Sequence, residues 1–248
     1  MAIKLLIINM ACATFFSLRS ISSLGNREKW PMLENYQKMG GLAALAEALC
    51  YIVGFAIFVF FLDFPGNSNP VENVEFLIEN RILIMSTMSI IYIFAALVLV
   101  VLVLALHDQL KEKSPKAMQV ATSVGLIWAG VVVASGMIFN VGAEGVISIY
   151  ANDPERAATL WMAVGIVQDG LGGGIELLGG VWILIISWTG LKSGIYPKFL
   201  NYFGIILGCA GVLSVAPSWE IFVEIFGLGQ IVWFIWLGTI MLRDKAAA

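Results

Sequence analysis

The chain has 248 residues, 60% of them hydrophobic and only 12% charged, with a mean hydropathy of +0.91 and a formal net charge of −3. A soluble domain carries about twice that charged fraction, so too little polar surface exists to face water all round and lipid is the expected solvent. The small net charge and the lack of a basic stripe exclude a nucleic-acid binder, and Cys12, Cys50 and Cys209 sit in apolar runs as small hydrophobes, not as a disulfide framework or metal site.

In chain order, residues 3–18 (IKLLIINMACATFFSL) come first. One basic residue, a short apolar core and small residues resemble a signal peptide, yet the basic residues of 19–40 oppose translocation of that stretch. The segment reads as a short seventh helix, an interfacial helix or a removed leader. Beyond it, spanning hydrocarbon takes about 20 apolar residues, because a ~30 Å core divides by ~1.5 Å per residue. Six stretches qualify: 41–62, 82–106, 117–141, 159–189, 199–216 and 219–242. All are apolar on every face, unlike barrel strands, which alternate every second residue. The expected fold is an all-α polytopic transmembrane bundle of six core helices, with that short N-terminal helix as the open question. Residues 1–40 form an N-terminal apolar and cytoplasmic segment, and 41–243 the transmembrane domain.

The loops alternate in charge. Arg19, Arg27, Lys29 and Lys38 precede the first span; Lys111, Lys113 and Lys116 follow the second; Lys192 and Lys198 follow the fourth; Arg243 and Lys245 end the chain. The other loops hold only Arg81 and Arg156, beside the acids Asp63, Glu72, Glu75, Glu79, Glu144, Asp153 and Glu155. The positive-inside rule then puts residues 19–40 and the C-terminus in the cytoplasm. Asp153–Pro154 reads as an N-cap with proline at the first helical position, and Ser114–Pro115 and Tyr196–Pro197 mark further helix starts.

The fourth span carries the chemistry. It holds Gln168, Asp169 and Glu176 among Gly170, Gly172, Gly173 and Gly174. A straight helix over 154–189 would be about 54 Å long, too long for ordinary tilt, and glycine is a poor helix former. A kink or unwound turn is therefore expected at 170–174, tolerated in a membrane only where it lines protein or a wet cavity. Asp169 and Glu176 share one face but stand about 10.5 Å apart along a straight helix. Glu47 is a third buried acid, and Glu220 and Glu224 lie near the outer end of the last span. No Lys or Arg lies deep in a span to neutralise them, so each acid must sit protonated, bind a cation or face water. The plainer alternative is neutral acids that hydrogen-bond between helices while glycines permit close packing.

Gly204 and Gly208 form a small-xxx-small pair suited to helix contact. Most tryptophans fall near span ends as an aromatic belt, while Trp128 and Trp182 are deeper and read as core or lipid-facing filler. His107, the only histidine, stands beside Asp108 at a helix end, so a bis-histidine haem or a histidine-rich metal centre is excluded within this chain. No nucleotide-binding loop, nucleophile elbow or zinc-protease motif occurs, so neither cofactor, metal nor catalytic residue is assigned.

Three segments, LHDQLKEKSPKA (106–117), SGIYPKFLNYFGIILGCAG (193–211) and IVWFIWLG (231–238), resemble a bacterial multi-pass family known only as domain of unknown function 4386. The resemblance covers about residues 38–243, implies a six-helix protein of the bacterial inner (plasma) membrane, and supplies no activity. The functional expectation is an integral membrane protein with a polar acidic intramembrane site, formed by Asp169, Glu176, Gln168 and Glu47, acting as a small transporter or a proton or cation pathway. The alternative is a non-catalytic structural or accessory subunit whose partners, besides the lipid bilayer, are other membrane proteins or a second copy.

Overall fold

The computed structural model describes residues 36–62, 69–173, 176–216, 219 and 221–243. The apolar stretch 3–18, Gly174 and Glu220 lie outside the described residues. Those described are mostly helical, with no strand among them: α1 (Tyr36–Phe60), α2 (Pro70–Glu79), α3 (Arg81–Leu110), α4 (Pro115–Tyr150), α5 (Pro154–Gln168), α6 (Leu177–Ser193), α7 (Lys198–Leu213) and α8 (Ile221–Arg243). Four of these, α1, α3, α4 and α8, are long and apolar enough to cross a membrane, and α6 and α7 are apolar but shorter. The all-α bundle expected from the apolar runs is the observed architecture.

The stretch 159–189 breaks where its glycines lead one to expect: α5 ends at Gln168, a wide π-type turn runs over Asp169–Gly173, and α6 begins at Leu177. One boundary departs from the sequence reading: the third stretch does not stop at 141, because α4 continues to Tyr150. Hydropathy falls there, but Phe139, Ala143 and Val146 keep a helical spacing and pack with Val74 and Leu77 of α2 and Ala157 and Ala158 of α5. Over 36 residues, α4 is about 54 Å long and outreaches a ~30 Å hydrocarbon core.

The proline starts match their chemistry. Pro154 opens α5 while the Asp153 side chain accepts the Arg156 N–H at 3.0 Å, and Pro115 opens α4. Pro70 opens α2 after an Asn69 cap, a helix that the acidic character of this loop had hidden. Gly194, with φ of 69°, closes α6 in the left-handed conformation that glycine adopts without strain.

The main core unites α1, α3, α4, α6, α7 and α8 around Leu102, Leu106, Met118, Trp182 and Phe234. Glycines set the tightest approaches. A Cβ on Gly238 of α8 would lie 2.8 Å from the Gly41 carbonyl oxygen of α1, and one on Gly208 of α7 would lie 2.8 Å from the Gly180 oxygen of α6. Such backbone contact is how helices associate in lipid, where burial itself yields no hydrophobic gain. Trp128 and Trp182 are core, with ring centroids 5.8 Å apart, and Trp182 meets Trp233 at 6.0 Å.

The two ends of the bundle differ in charge. Among the described residues, Lys38, Lys111, Lys113, Lys116, Lys192, Lys198 and Arg243 gather at one end, Arg81 and Arg156 at the other. His107 sits at the basic end, with Nδ1 2.7 Å from the Thr122 hydroxyl. There the Asp108 carboxylate accepts a hydrogen bond from Lys111 and holds its ammonium pKa above the ordinary lysine range. At the acidic end Arg81 meets Glu144 at 2.5 Å. Both pairs are solvent-accessible and contribute little stability.

Candidate intramembrane site

A cavity of about 540 Å³ opens between α1, α3, α4 and α8, with Glu176 among its lining residues. On α3, the Thr87 hydroxyl donates to the Leu83 carbonyl at 2.7 Å and the Ser89 hydroxyl to Met85 at 2.8 Å, while Asn140 of α4 donates to Ser89 at 2.9 Å. Hydroxyls that bond back one turn loosen a helix. The wide π-helical stretch Ser89–Phe94 follows directly, and it carries Tyr92 into the cavity wall. Turns of this kind recur at functional sites.

Glu176 occupies the N-cap position of α6. Its backbone N–H donates to the Ser214 hydroxyl at 2.9 Å, and that hydroxyl donates in turn to Gly211 at 2.7 Å. Its carbonyl accepts from Gly180 at 2.8 Å. The backbone is thus pinned against the end of α7, and the side chain faces the cavity from a helix N-terminus, where negative charge is favoured.

The remaining expected residues divide. Gln168 is buried, its carbonyl accepts from the Ser135 hydroxyl at 3.3 Å, and its amide reaches the Tyr92 hydroxyl. Glu47 is 1% exposed, with Oε1 lacking a hydrogen-bond partner among the described residues. It stands one turn before Tyr51, whose hydroxyl lies within electrostatic reach of Glu47, Glu176 and Tyr92. Gln168, Glu176 and Glu47 therefore converge on the Tyr51–Tyr92 region. Of the four expected residues only Glu176 lines the cavity, and Asp169 is exposed. Gly170, Gly172 and Gly173 form the wide turn after α5, and a Cβ at Gly170 would meet open space.

Sequence reasoning missed Tyr51, Tyr92 and Gln230 as lining residues and did not assign Glu224 to a site. Gln230 had a readable signal, a single amide in the middle of apolar α8. It is 3% exposed, and its Oε1 has no partner among the described residues.

The lone buried oxygen of Glu47 gives a direct test of structural need. Replacing an imperfectly satisfied buried acid by an apolar side chain of similar size is neutral or stabilising. Glu47→Leu is expected to raise stability by about 1 kcal/mol, read as a higher Tm in detergent. A lower Tm would show that the carboxyl holds the fold together.

Long apolar helices, glycine-mediated contacts and Lys and Arg residues kept to the ends define an α-helical integral membrane protein. Within that class the chain belongs to the family described as Domain of unknown function (DUF4386), whose model matches residues 39–239. No curated protein and no solved structure gives a match.

Proposed function

We propose that this protein is a small transporter or a proton or cation pathway, and that its site is the cavity lined in part by Glu176. One observation carries the reading: a carboxylic acid faces an intramembrane cavity at the point where the chain between α5 and α6 leaves α-helical geometry. Acids inside the hydrocarbon are costly and are kept chiefly where they face a pathway or a ligand. Interrupted helices are stable there only beside protein or a cavity, and broken helices commonly form the binding sites of transporters. Glu47 and Gln168 extend the polar path from the cavity along α1 and the end of α5. The excess of Lys and Arg at one end supports an orientation with that end in the cytoplasm of a bacterial inner membrane.

The test is flux into proteoliposomes driven by an imposed pH gradient. Glu176→Gln keeps the shape of the side chain but removes its charge and its exchangeable proton, and is expected to lower flux by about tenfold or more. Asp169→Asn, which alters a residue outside the cavity, is expected to stay within about twofold of the unaltered protein. Unchanged flux in Glu176→Gln overturns the reading.

A further inference from the structure

We infer that the cavity takes a lipophilic organic cation, specifically a protonated amine with at least one N–H and with apolar rings or chains. The inference rests on the pathway reading above and adds the class of ligand to it. The cavity volume of about 540 Å³ falls within the ~300–1,000 Å³ typical of sites for drug-sized molecules.

Charge sets the sign. The wall includes Glu176 and Glu224 and no Lys, Arg or His, so an anion would meet repulsion without a counter-charge. Aromatic faces come next. Tyr51, Tyr92 and Trp128 line the same space, and the negative faces of such rings attract ammonium groups. An inorganic cation fits poorly: sodium, calcium and magnesium need several converging oxygens, whereas this wall is mostly carbon. Among the described residues no three acids, histidines or cysteines gather as metal ligands.

Gln230 supplies the independent observation. Its side chain is 3% exposed, it lines the cavity, and its Oε1 has no hydrogen-bond partner among the described residues. Oε1 is covered as well as unpaired, so a small turn of the amide is what lets an ammonium N–H satisfy it where a quaternary ammonium cannot. The rim explains the lipophilic part. Phe55 and Leu228 line the cavity on α1 and α8 and are 42% and 59% exposed, so its wall is continuous with apolar surface of the kind that acyl chains cover. A ligand already dissolved in the bilayer reaches the acids without crossing water.

The test uses the full chain in nanodiscs, with empty nanodiscs as the partition blank, and three probes of similar shape. These are dibenzylammonium, its dimethyl quaternary derivative and neutral dibenzyl ether, each measured by equilibrium dialysis at neutral pH. Dibenzylammonium is expected to bind saturably, about tenfold tighter than the quaternary probe and more than about tenfold tighter than the ether. This ranking needs no variant and so does not depend on one folding. Gln230→Leu is expected to erase most of the preference for dibenzylammonium over the quaternary probe, and Glu176→Gln to weaken both cations by about tenfold. Equal retention of the ether and the amine, or no saturable binding of any probe, overturns the inference. Amine binding without gradient-driven flux would keep the ligand class and reject the pathway reading; Glu176-dependent flux without probe binding would do the reverse.

Discussion

Gly180→Ala is expected to force α6 and α7 apart and to strip the purified protein of its compact form at temperatures the unaltered chain withstands. A Cβ at this position would lie 2.7 Å from both the Gly211 carbonyl carbon and the Val212 nitrogen, and 2.8 Å from the Gly208 oxygen. Real Cβ atoms do not approach other heavy atoms so closely, and every obstacle is backbone, which cannot turn aside as a flexible side chain can. Overpacking typically costs about 1–3 kcal/mol where neighbours can adjust, and here the adjustment is separation of two helices. The same shift would disturb the Ser214 hydroxyl that holds the Glu176 backbone, so the site would loosen with the fold. Gly130→Ala serves as the control. A Cβ there meets nothing within 4 Å, and the better helix former is expected to leave stability unchanged or to raise it by about 0.5–1 kcal/mol. The measurement is the Tm of both variants in one detergent. Equal values would refute the close approach of α6 and α7.

Trp182→Ala is the second large effect. Trp182 is fully buried where α4, α6 and α8 meet, between the rings of Trp128 and Trp233 and against Gly125. Truncating a buried aromatic side chain to alanine costs about 3–5 kcal/mol, mostly through the void it leaves. Lipid does not relieve this cost, because packing contacts are what hold helices together in a bilayer. Trp182→Phe is expected to cost clearly less. It keeps much of the volume and removes an indole N–H that has no hydrogen-bond partner among the described residues. Reversible unfolding by SDS in mixed micelles orders the variants. A phenylalanine variant as unstable as the alanine one would mean that the indole N–H makes a necessary bond.

Much of the fold was readable in the amino-acid pattern, for a physical reason. Lipid offers no partner to a free N–H or C=O, so membrane spans must be long, apolar and helical. The proline starts at Pro115 and Pro154 were equally open to inspection, since capping is local. What hydropathy concealed was tertiary in origin. The end of α4 carries Asn140 and Glu144 but stays helical because α2 and α5 cover its apolar side. Among the candidate residues, Glu176, Gln168 and Glu47 stood out as polar residues in oil. Tyr51, Tyr92 and Trp128 did not, because an aromatic residue in a span is ordinary and only the crossing of α1, α3 and α4 brings these three to one cavity. The exposure of Asp169 was hidden for the same reason, as spacing gives a face but not the neighbour opposite it.

The wide turn at Ser89–Phe94 also divides the labour of α3. A π-type turn carries one residue more than a regular one, and each residue advances a helix by about 100°, so the two halves of α3 are out of phase by roughly that angle. The later half commits Leu99, Leu102 and Leu106 to the main core, while the earlier half commits Ile84 to the smaller cluster beside α2 and α5. One surplus residue thus lets a single rod serve as a shared wall for two separately oriented compartments, and the offset between them falls where Tyr92 meets the void.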